Sequence, residues 1–156
     1  CWLEILKRNK PAGILLSRQN LPVMPQNAAG VAKGAYLVKS VKNPKVSIIA
    51  TGSEVSVALK AAAQLDADGI ATQVVSAPCL EWFNENDSNY RETLLPKSAL
   101  KVSIEAGIAQ GWREYVGDNG VIISLDRFGA SASAGKLFEE FGFGSDAVVS
   151  RIKAAL

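Results

Sequence analysis

The stretch Val46-Ser47-Ile48-Ile49-Ala50-Thr51-Gly52-Ser53-Glu54 decides the fold of this chain. Its first five residues have the composition of a buried strand, and the helical pattern that follows keeps its apolar residues on one stripe. That pattern ends at Asp68-Gly69, with a glycine where helices commonly stop, and residues 70–75 are predicted to form a second strand. A strand, a helix and a strand in this order form a βαβ unit, so the two strands are parallel and the crossover is right-handed.

The turn between that strand and its helix has two interpretations. Thr51 and Glu54 have the spacing of a capping box, in which two side chains satisfy backbone N–H groups at the start of a helix. The N–H groups of Thr51-Gly52-Ser53 could instead bind an anion, as helix N-termini do. The G-x-G-x-x-G and G-K-[ST] patterns of nucleotide-binding loops are absent, so the sequence favours capping and keeps the anion site as the alternative.

Further strands and helices alternate after this unit, and one strand precedes it. The sequence predicts strands at residues 35–38, 100–104 and 121–125, and helices at residues 80–83, 88–95, 112–116, 135–141 and 145–156. Such alternation is typical of the α/β class, in which helices cover both faces of a mostly parallel sheet. We therefore predict a three-layer α/β/α sandwich with about five strands.

The first residues do not continue this alternation. Trp2, Ile5 and Leu6 follow helical spacing without an N-cap residue before them, and residues 12–17 are typical of a short buried strand. A helix end and one strand cannot form a core together. We therefore expect residues 1–20 to be the tail end of a preceding domain, with apolar side chains exposed when that domain is removed.

The segment that follows has the composition of a linker. Residues 21–33 contain Pro22, Pro25 and no sustained periodicity, which is typical of a surface connection. The sequence therefore predicts that the α/β domain occupies residues 34–156.

Composition limits the classes of function. The chain has 156 residues, of which 48% are hydrophobic and 21% charged, as in ordinary globular domains. The net charge of +2 is far from the basic balance of a nucleic-acid binder, and Lys7, Arg8 and Lys10 are expected to lie on a solvated surface. No apolar run reaches the length of about 18 residues that a membrane span needs. The first residues lack the pattern of a secretory signal, so the cytoplasm is the expected compartment.

The residue types also exclude several chemistries. With 0 His, the chain has no imidazole base and no His metal ligand. Cys1 and Cys79 cannot form a structural zinc site by themselves and are expected to be free thiols.

Two charged side chains are candidates for function. Glu105 follows a predicted strand at the edge where open α/β sheets bind ligands, and could be a general acid or base, or a structural group. Arg18 follows the predicted strand at residues 12–17, and its guanidinium needs a carboxylate or a phosphate as partner. The sequence leaves both choices open.

A series of strings, in order along the chain, resembles the transketolase family. Leu16-Ser17-Arg18-Gln19-Asn20-Leu21-Pro22 resembles a strand-end motif of that family. The remaining strings resemble its C-terminal domain: Ala50-Thr51-Gly52-Ser53-Glu54-Val55, Val74-Val75-Ser76-Ala77-Pro78, Glu105-Ala106-Gly107, Phe128-Gly129-Ala130-Ser131-Ala132 and Leu137-Phe138-Glu139-Glu140-Phe141-Gly142-Phe143. Each string alone is weak, whereas the ordered series covers essentially the whole chain.

The resemblance implies an enzyme of the pentose phosphate pathway. Such an enzyme uses thiamine diphosphate and a divalent metal, Mg or Ca, to transfer a two-carbon ketol unit between ketose and aldose phosphates, and it is a cytoplasmic homodimer. Residues 1–20 would end the pyrimidine-binding domain, and residues 34–156 would be the C-terminal domain, with one antiparallel strand near residues 35–38. The cofactor, the metal and the catalytic histidines would lie in upstream domains. The resemblance assigns one contact to this chain, from Arg18 to the phosphate of the sugar substrate.

Two other interpretations remain. Deoxyxylulose-phosphate synthases and the beta subunits of 2-oxo-acid dehydrogenases share this C-terminal fold, although Ser17-Arg18-Gln19 favours transketolases. In a different class, the chain could be a non-catalytic regulatory module that binds a ligand.

Overall fold

A mixed sheet forms the centre of the molecule. The computed structural model describes residues 1–24 and 27–156, so Pro25 and Gln26 of the expected linker lie outside the described residues. The strands are β1 (Tyr36–Lys39), β2 (Val46–Ala50), β3 (Thr72–Ser76), β4 (Leu100–Ile104) and β5 (Val121–Ile123). Their order is β1-β3-β2-β4-β5; the β1–β3 pair is antiparallel and the other pairs are parallel. The predicted fold class is confirmed, together with the antiparallel strand expected near residues 35–38.

Helices cover both faces of this sheet. They are α1 (Trp2–Arg8), α2 (Ala28–Ala32), α3 (Glu54–Ala67), α4 (Leu80–Asn84), α5 (Ser88–Leu94), α6 (Trp112–Val116), α7 (Ala134–Glu140) and α8 (Ser145–Lys153). Helices α3 and α8 pack on one face, whereas α4, α5 and α6 pack on the other. Across the two described ranges, no helix combines the length and the apolar character that crossing a membrane requires.

The central strand β2 is buried along its whole length. It lies between β3 and β4, and its side chains alternate between the two faces of the sheet. Ile48 contributes to the core under α3 and α8, and Ile49 to the core under α4, α5 and α6. Because both faces are covered, the strand is a continuous apolar run in the sequence, without the alternation of a half-exposed strand.

A buried polar contact attaches α5 to the sheet. The Ser47 hydroxyl donates to the Leu94 carbonyl over 2.6 Å, and the Gln73 side-chain amide donates to the same carbonyl over 2.7 Å and to the Ser47 oxygen over 3.1 Å. Carbonyls at the end of a helix have no partner within the helix, and leaving one buried without a donor is costly. The two strand side chains provide those donors, so the position of α5 on the sheet is fixed.

Both edges of the sheet are irregular or covered. The register of β1 against β3 shifts between Leu37 and Lys39, and the Lys39 ammonium forms an ion pair of 2.7 Å with Asp66. At the other edge, the Arg151 guanidinium of α8 donates to the Ile122 carbonyl of β5 over 2.7 Å.

The prediction of a strand at residues 12–17 is wrong. These residues form no strand, and Leu15 and Leu16 are 96% and 83% exposed. A strand needs a neighbour to pair its backbone groups, and the sheet of the described residues offers none to this segment. The expected apolar exposure of residues 1–20 is present at Trp2 and Leu6, whereas Ile5 is half-buried.

Gly34 joins α2 to β1 in a conformation that other residues rarely adopt. Its φ is +81°, and a Cβ at this position would overlap the Cys79 carbonyl oxygen and the Phe83 amide nitrogen. Its own carbonyl accepts a hydrogen bond of 3.0 Å from the Cys79 N–H. The start of β1 is therefore in direct backbone contact with the start of α4.

Replacing Gly34 by alanine should therefore destabilise the chain more than the same change at another glycine with positive φ. Gly69 is the matched control, because its φ is +76° and the space around it is open. We expect Gly69→Ala to cost about 1–2 kcal/mol from backbone conformation alone. Gly34→Ala should cost about 1–3 kcal/mol more, because its Cβ also meets backbone atoms. Urea unfolding measures both values, and equal losses would contradict the close approach at Gly34.

Candidate functional site

The carboxyl ends of β2 and β4 form the candidate site. From β2 the chain enters α3 on one face of the sheet, and from β4 it continues to α6 on the other face. The chain connections thus diverge between two neighbouring strands, which is where open α/β sheets form a crevice for ligands. Thr51 follows β2 directly and Glu105 follows β4, so both candidates from the sequence lie at the carboxyl ends of these strands.

The Glu105 carboxylate links the two strand ends. It accepts hydrogen bonds from the Thr51 hydroxyl over 3.1 Å and from the Trp112 indole N–H over 2.8 Å. Trp112 is 2% exposed and belongs to the core under α6, so its N–H needs an acceptor inside the protein. The sequence allowed Glu105 to be either a general acid or base or a structural group, and these contacts are those of a structural group.

The predicted capping box of Thr51 and Glu54 is wrong. Ser53 is the N-cap residue of α3 and makes no side-chain cap bond, while the Thr51 hydroxyl is bonded to Glu105 instead. The hydroxyl donates to a carboxylate, and hydrogen bonds to a charged acceptor are stronger than those between neutral groups, while the Glu54 N–H donates to the Thr51 carbonyl and not to its hydroxyl. Spacing within the turn could not reveal this contact, because Glu105 is distant in the sequence.

The turn is also poorly suited to an anion. The Glu54 N–H, the first of α3, donates to the Thr51 carbonyl over 3.1 Å and is therefore not available to an anion. The Glu54 carboxylate lies 3.6 Å from the position that a Cβ on Gly52 would take. A carboxylate beside the turn disfavours an anion there.

Glu54 is a buried carboxyl at the first position of α3. It is 5% exposed, and its carboxylate accepts from the Ser53 hydroxyl over 3.2 Å and from the Ala106 backbone N–H. Burial raises the pKa of Glu54 above its ordinary value, and the negative charge of Glu105 adds to the rise, while these hydrogen bonds oppose it. Two carboxyl groups with different environments therefore lie side by side at the strand ends.

An open cleft of about 230 Å³ lies beside this pair, between α4 and α6. Its lining includes the carboxylates of Glu81, Glu105 and Glu114 and the rings of Trp112 and Tyr115. The Asn84 amide of α4 donates to the Tyr115 hydroxyl of α6 over 2.8 Å, which connects the two walls. Its negative lining makes this cleft a poor site for a phosphate group.

Arg18 lies close to the same edge of the sheet. The hydroxyl of the preceding Ser17 is 3.9 Å from the position of a Cβ on Gly52, which places the segment against the turn after β2. The Arg18 side chain is exposed and makes no hydrogen bond or ion pair with another described residue.

Arg8, expected from the sequence to lie on a solvated surface, is instead bonded to other parts of the chain and is 29% exposed. The Arg8 guanidinium donates to Glu85 over 2.7 Å and to the Ala32 carbonyl over 3.1 Å, and lies 4.2 Å from the centre of the Trp82 ring. Its partners belong to other elements, so no signal within residues 7–10 could have revealed them.

Comparison with known proteins identifies the family. Residues 34–144 match the family described as "Transketolase-like TK C-terminal domain", which covers most of the α/β domain. This chain belongs to the transketolase family. It is 45% identical to a transketolase 2 of Vibrio parahaemolyticus over 159 aligned residues, which span 99% of this chain and 24% of that protein. It is also 45% identical to a chloroplastic transketolase of Solanum tuberosum, over 97% of this chain and 21% of that protein.

Solved transketolases share the fold. The transketolase of Leishmania mexicana superposes with a TM-score of 0.81 at 37% identity, over 88% of this chain and 20% of that one. A Pichia stipitis transketolase solved with sedoheptulose-7-phosphate gives the same TM-score at 33% identity, over 88% and 20% of the two chains. A split-gene transketolase, described as an inactive beta4 tetramer, shows the fold alone, with a TM-score of 0.68 at 20% identity. The chain thus spans about a quarter of the length of the curated transketolases it matches.

The transketolase cofactors find no site among these residues. Within residues 1–24 and 27–156, no group of three or more His, Cys, Asp or Glu side chains is arranged to hold a metal ion. The two adjacent carboxyls, Glu54 and Glu105, accept hydrogen bonds from protein donors, and carboxylates disfavour an anionic group such as a diphosphate beside them. The described residues therefore do not fit the metal or the cofactor.

The raised pKa of Glu54 should make stability depend on pH. The Glu54 carboxyl keeps its proton to a higher pH in the folded chain than in the unfolded chain. Glu54 therefore stabilises the folded state most at pH values below its ordinary pKa of 4.5. This contribution falls as the pH rises through the folded pKa, until both states are ionised. Glu54→Gln cannot ionise and should remove this part of the pH dependence.

The measurement is the free energy of unfolding in urea between about pH 4 and pH 8. Glu114→Gln is the control, because Glu114 is exposed on α6 and its replacement should leave the profile unchanged. A Glu54→Gln profile parallel to that of the unchanged chain would show that Glu54 is not the group responsible.

Proposed function

We propose that this chain is the C-terminal portion of a thiamine-diphosphate-dependent transketolase, which transfers a two-carbon ketol unit between sugar phosphates. The observation that carries the proposal is the match to transketolases over nearly all of this chain but only about a quarter of theirs. The cofactor would supply the carbanion chemistry of ketol transfer from a site formed by other parts of the enzyme. The contribution of this chain is then to bind, orient and assemble.

In the proposed enzyme this chain contains the end of one domain, a linker and a second domain. Residues 1–20 end the pyrimidine-binding domain, residues 21–33 are the linker, and residues 34–156 are the C-terminal domain. Support comes from the family match, which begins at residue 34, and from α1, which has no fully buried residue. The apolar side chains that residues 1–20 expose, Trp2 and Leu6 among them, would be covered by the upstream domains of the same enzyme, which acts as a homodimer.

The substrate contact of this chain is assigned to Arg18. A guanidinium offers paired donors in one plane and keeps its charge, which suits the terminal phosphate of a sugar phosphate. The exposed Arg18 side chain leaves those donors available. The Pichia stipitis relative was solved with a sugar phosphate, which supports this class of ligand. Arg18 would grip the phosphate and take no part in bond making.

Arg18→Ala in the complete enzyme should therefore weaken the binding of phosphorylated ketol donors. A hydrogen bond to a charged group contributes about 1.5–3 kcal/mol, which corresponds to about a tenfold to hundredfold rise in KM. A donor without a phosphate should lose much less, because it offers nothing for the guanidinium to bind. Steady-state kinetics with both donors and a melting curve measure these effects.

The control for this experiment is Lys42→Ala. Lys42 is an exposed cation in the turn between β1 and β2, at the end of β2 opposite to Thr51. Its replacement changes the net charge by the same amount as Arg18→Ala, but at a position far from the candidate site. Equal losses for the two donors, together with a lower melting temperature, would instead indicate a carboxylate partner and end the phosphate assignment.

The isolated chain should fold without catalysing ketol transfer. Two cores under the helices give residues 34–156 a basis for independent folding, whereas catalysis requires the cofactor to be bound. We expect a cooperative urea transition, and no ketol transfer when thiamine diphosphate, Mg²⁺ and sugar phosphates are added. Ketol transfer faster than in the absence of protein would contradict the proposal that this chain is not catalytic by itself.

A further inference from the structure

The N-terminal helix α1 is attached to the α/β domain through one cation. The Arg8 guanidinium lies over the Trp82 ring and donates to Glu85, both in or next to α4, while a second nitrogen donates to the Ala32 carbonyl at the end of α2. The Arg8 side chain is 29% exposed, so these contacts shield most of it from water. We call this arrangement of Arg8, Ala32, Trp82 and Glu85 the Arg8 clasp.

The receiving side of the Arg8 clasp is rigid. The Asn86 amide donates to the Lys33 carbonyl over 2.8 Å and to the Trp82 carbonyl over 2.9 Å, so the ends of α2 and α4 are joined. Gly34 adds its backbone contact with Cys79, the residue before α4. None of these contacts involves α1, so the surface that binds Arg8 is held together without it.

Burial holds helix α1 only weakly, because Glu4 and Ile5 are half-buried and its other side chains apart from Arg8 are exposed. It is seven residues long and has no buried residue, and an isolated helix of that length is marginal in water. Its internal ion pair, Lys7 with Glu4 at 2.7 Å, supports the helix without attaching it to the domain. The docked position of α1 thus depends strongly on the Arg8 clasp.

The same segment carries Arg18 to the edge of the sheet. Ser17 lies against the turn at Gly52, and Met24 packs on the core under α3 and α8. Between Arg8 and Ser17 the chain forms no helix or strand, so fixing Arg8 limits the conformations available to this connection. Because Arg8 and Ser17 both contact the α/β domain, the two ends of this connection are held, and the contact at Arg8 favours the contact of Ser17 next to Arg18.

We propose that Arg8 is a positioning residue that holds the segment bearing Arg18 against the α/β domain, and so pre-orients Arg18 for the phosphate of the substrate. The structural half of this proposal stands on the contacts above, and its kinetic half rests on the proposed function of Arg18. A flexible arginine must be ordered when substrate binds, and a segment already in place reduces that cost.

The structural half is tested by amide hydrogen exchange on the 156-residue chain. Arg8→Ala should lower the protection of the α1 amides by about threefold to tenfold, the size expected for a half-exposed ion pair with a cation–π contact. Glu85→Ala should give part of this loss, and the double variant should lose no more than Arg8→Ala alone. Lys10→Ala, which removes an exposed cation just after the helix, is the control and should change nothing. Unchanged protection in Arg8→Ala would overturn the Arg8 clasp.

The kinetic half is tested in the complete enzyme. Arg8→Ala should raise KM for a phosphorylated donor by about threefold to tenfold, with kcat and the KM of a non-phosphorylated donor unchanged. A loss of α1 protection without any change in this KM would overturn the positioning role. If Arg18→Ala itself failed to separate the two donors, the function proposed for Arg18 would fall, and the exchange experiment would still support or overturn the Arg8 clasp independently.

Discussion

The hydrogen-bond ladders on both sides of β2 are the constraint on which the other elements depend. The strand pairs in parallel with β3 and with β4, and all five of its side chains are buried. Parallel pairing requires a crossover for each neighbour, so α3 and the α4–α5 region must lie over the sheet, and they cover its two faces. The register of β2 therefore determines which residues meet at the carboxyl ends of the strands, where Thr51 and Glu105 are bonded.

Two sets of polar groups attach different helices to the sheet. On the face under α5, Ser47 and Gln73 supply donors to a helix end and so fix a helix to the sheet. At the strand ends, Glu105 supplies an acceptor to Trp112 and Thr51, and so ties α6 to the turn before α3. Buried hydrogen bonds contribute modestly to stability, whereas a buried group without a partner is costly. These contacts therefore specify one arrangement of helices among the many that an apolar interface would allow.

The sequence predicted those features that depend on local pattern. The βαβ unit around β2, the helices that follow and the class of the sheet all depend on periodicity and on glycines at helix ends. The resemblance to transketolases added the antiparallel direction of the strand near residues 35–38, which no periodicity could have indicated. The errors share a physical cause, since each concerns a partner that is distant in the sequence. Thr51 is bonded to Glu105, Arg8 to Glu85, and residues 12–17 lack the neighbouring strand that their composition requires. Sequence patterns could not have indicated the contact of Ser17, the residue before Arg18, with the turn at Gly52, although the residue type of Arg18 was informative.

The two outer strands have a consequence for how copies of this chain can associate. An exposed, flat edge strand offers its backbone to a second molecule, and this is a common route to aggregation. Here β1 is short, shifts its register beside Lys39 and carries an ion pair, while β5 has three residues and a guanidinium bonded to one of its carbonyls. Neither edge presents a regular template, which disfavours pairing of the sheet with that of a second molecule. Self-association of the chain would instead proceed through exposed apolar side chains, among them the indole and the leucines at its amino-terminal end.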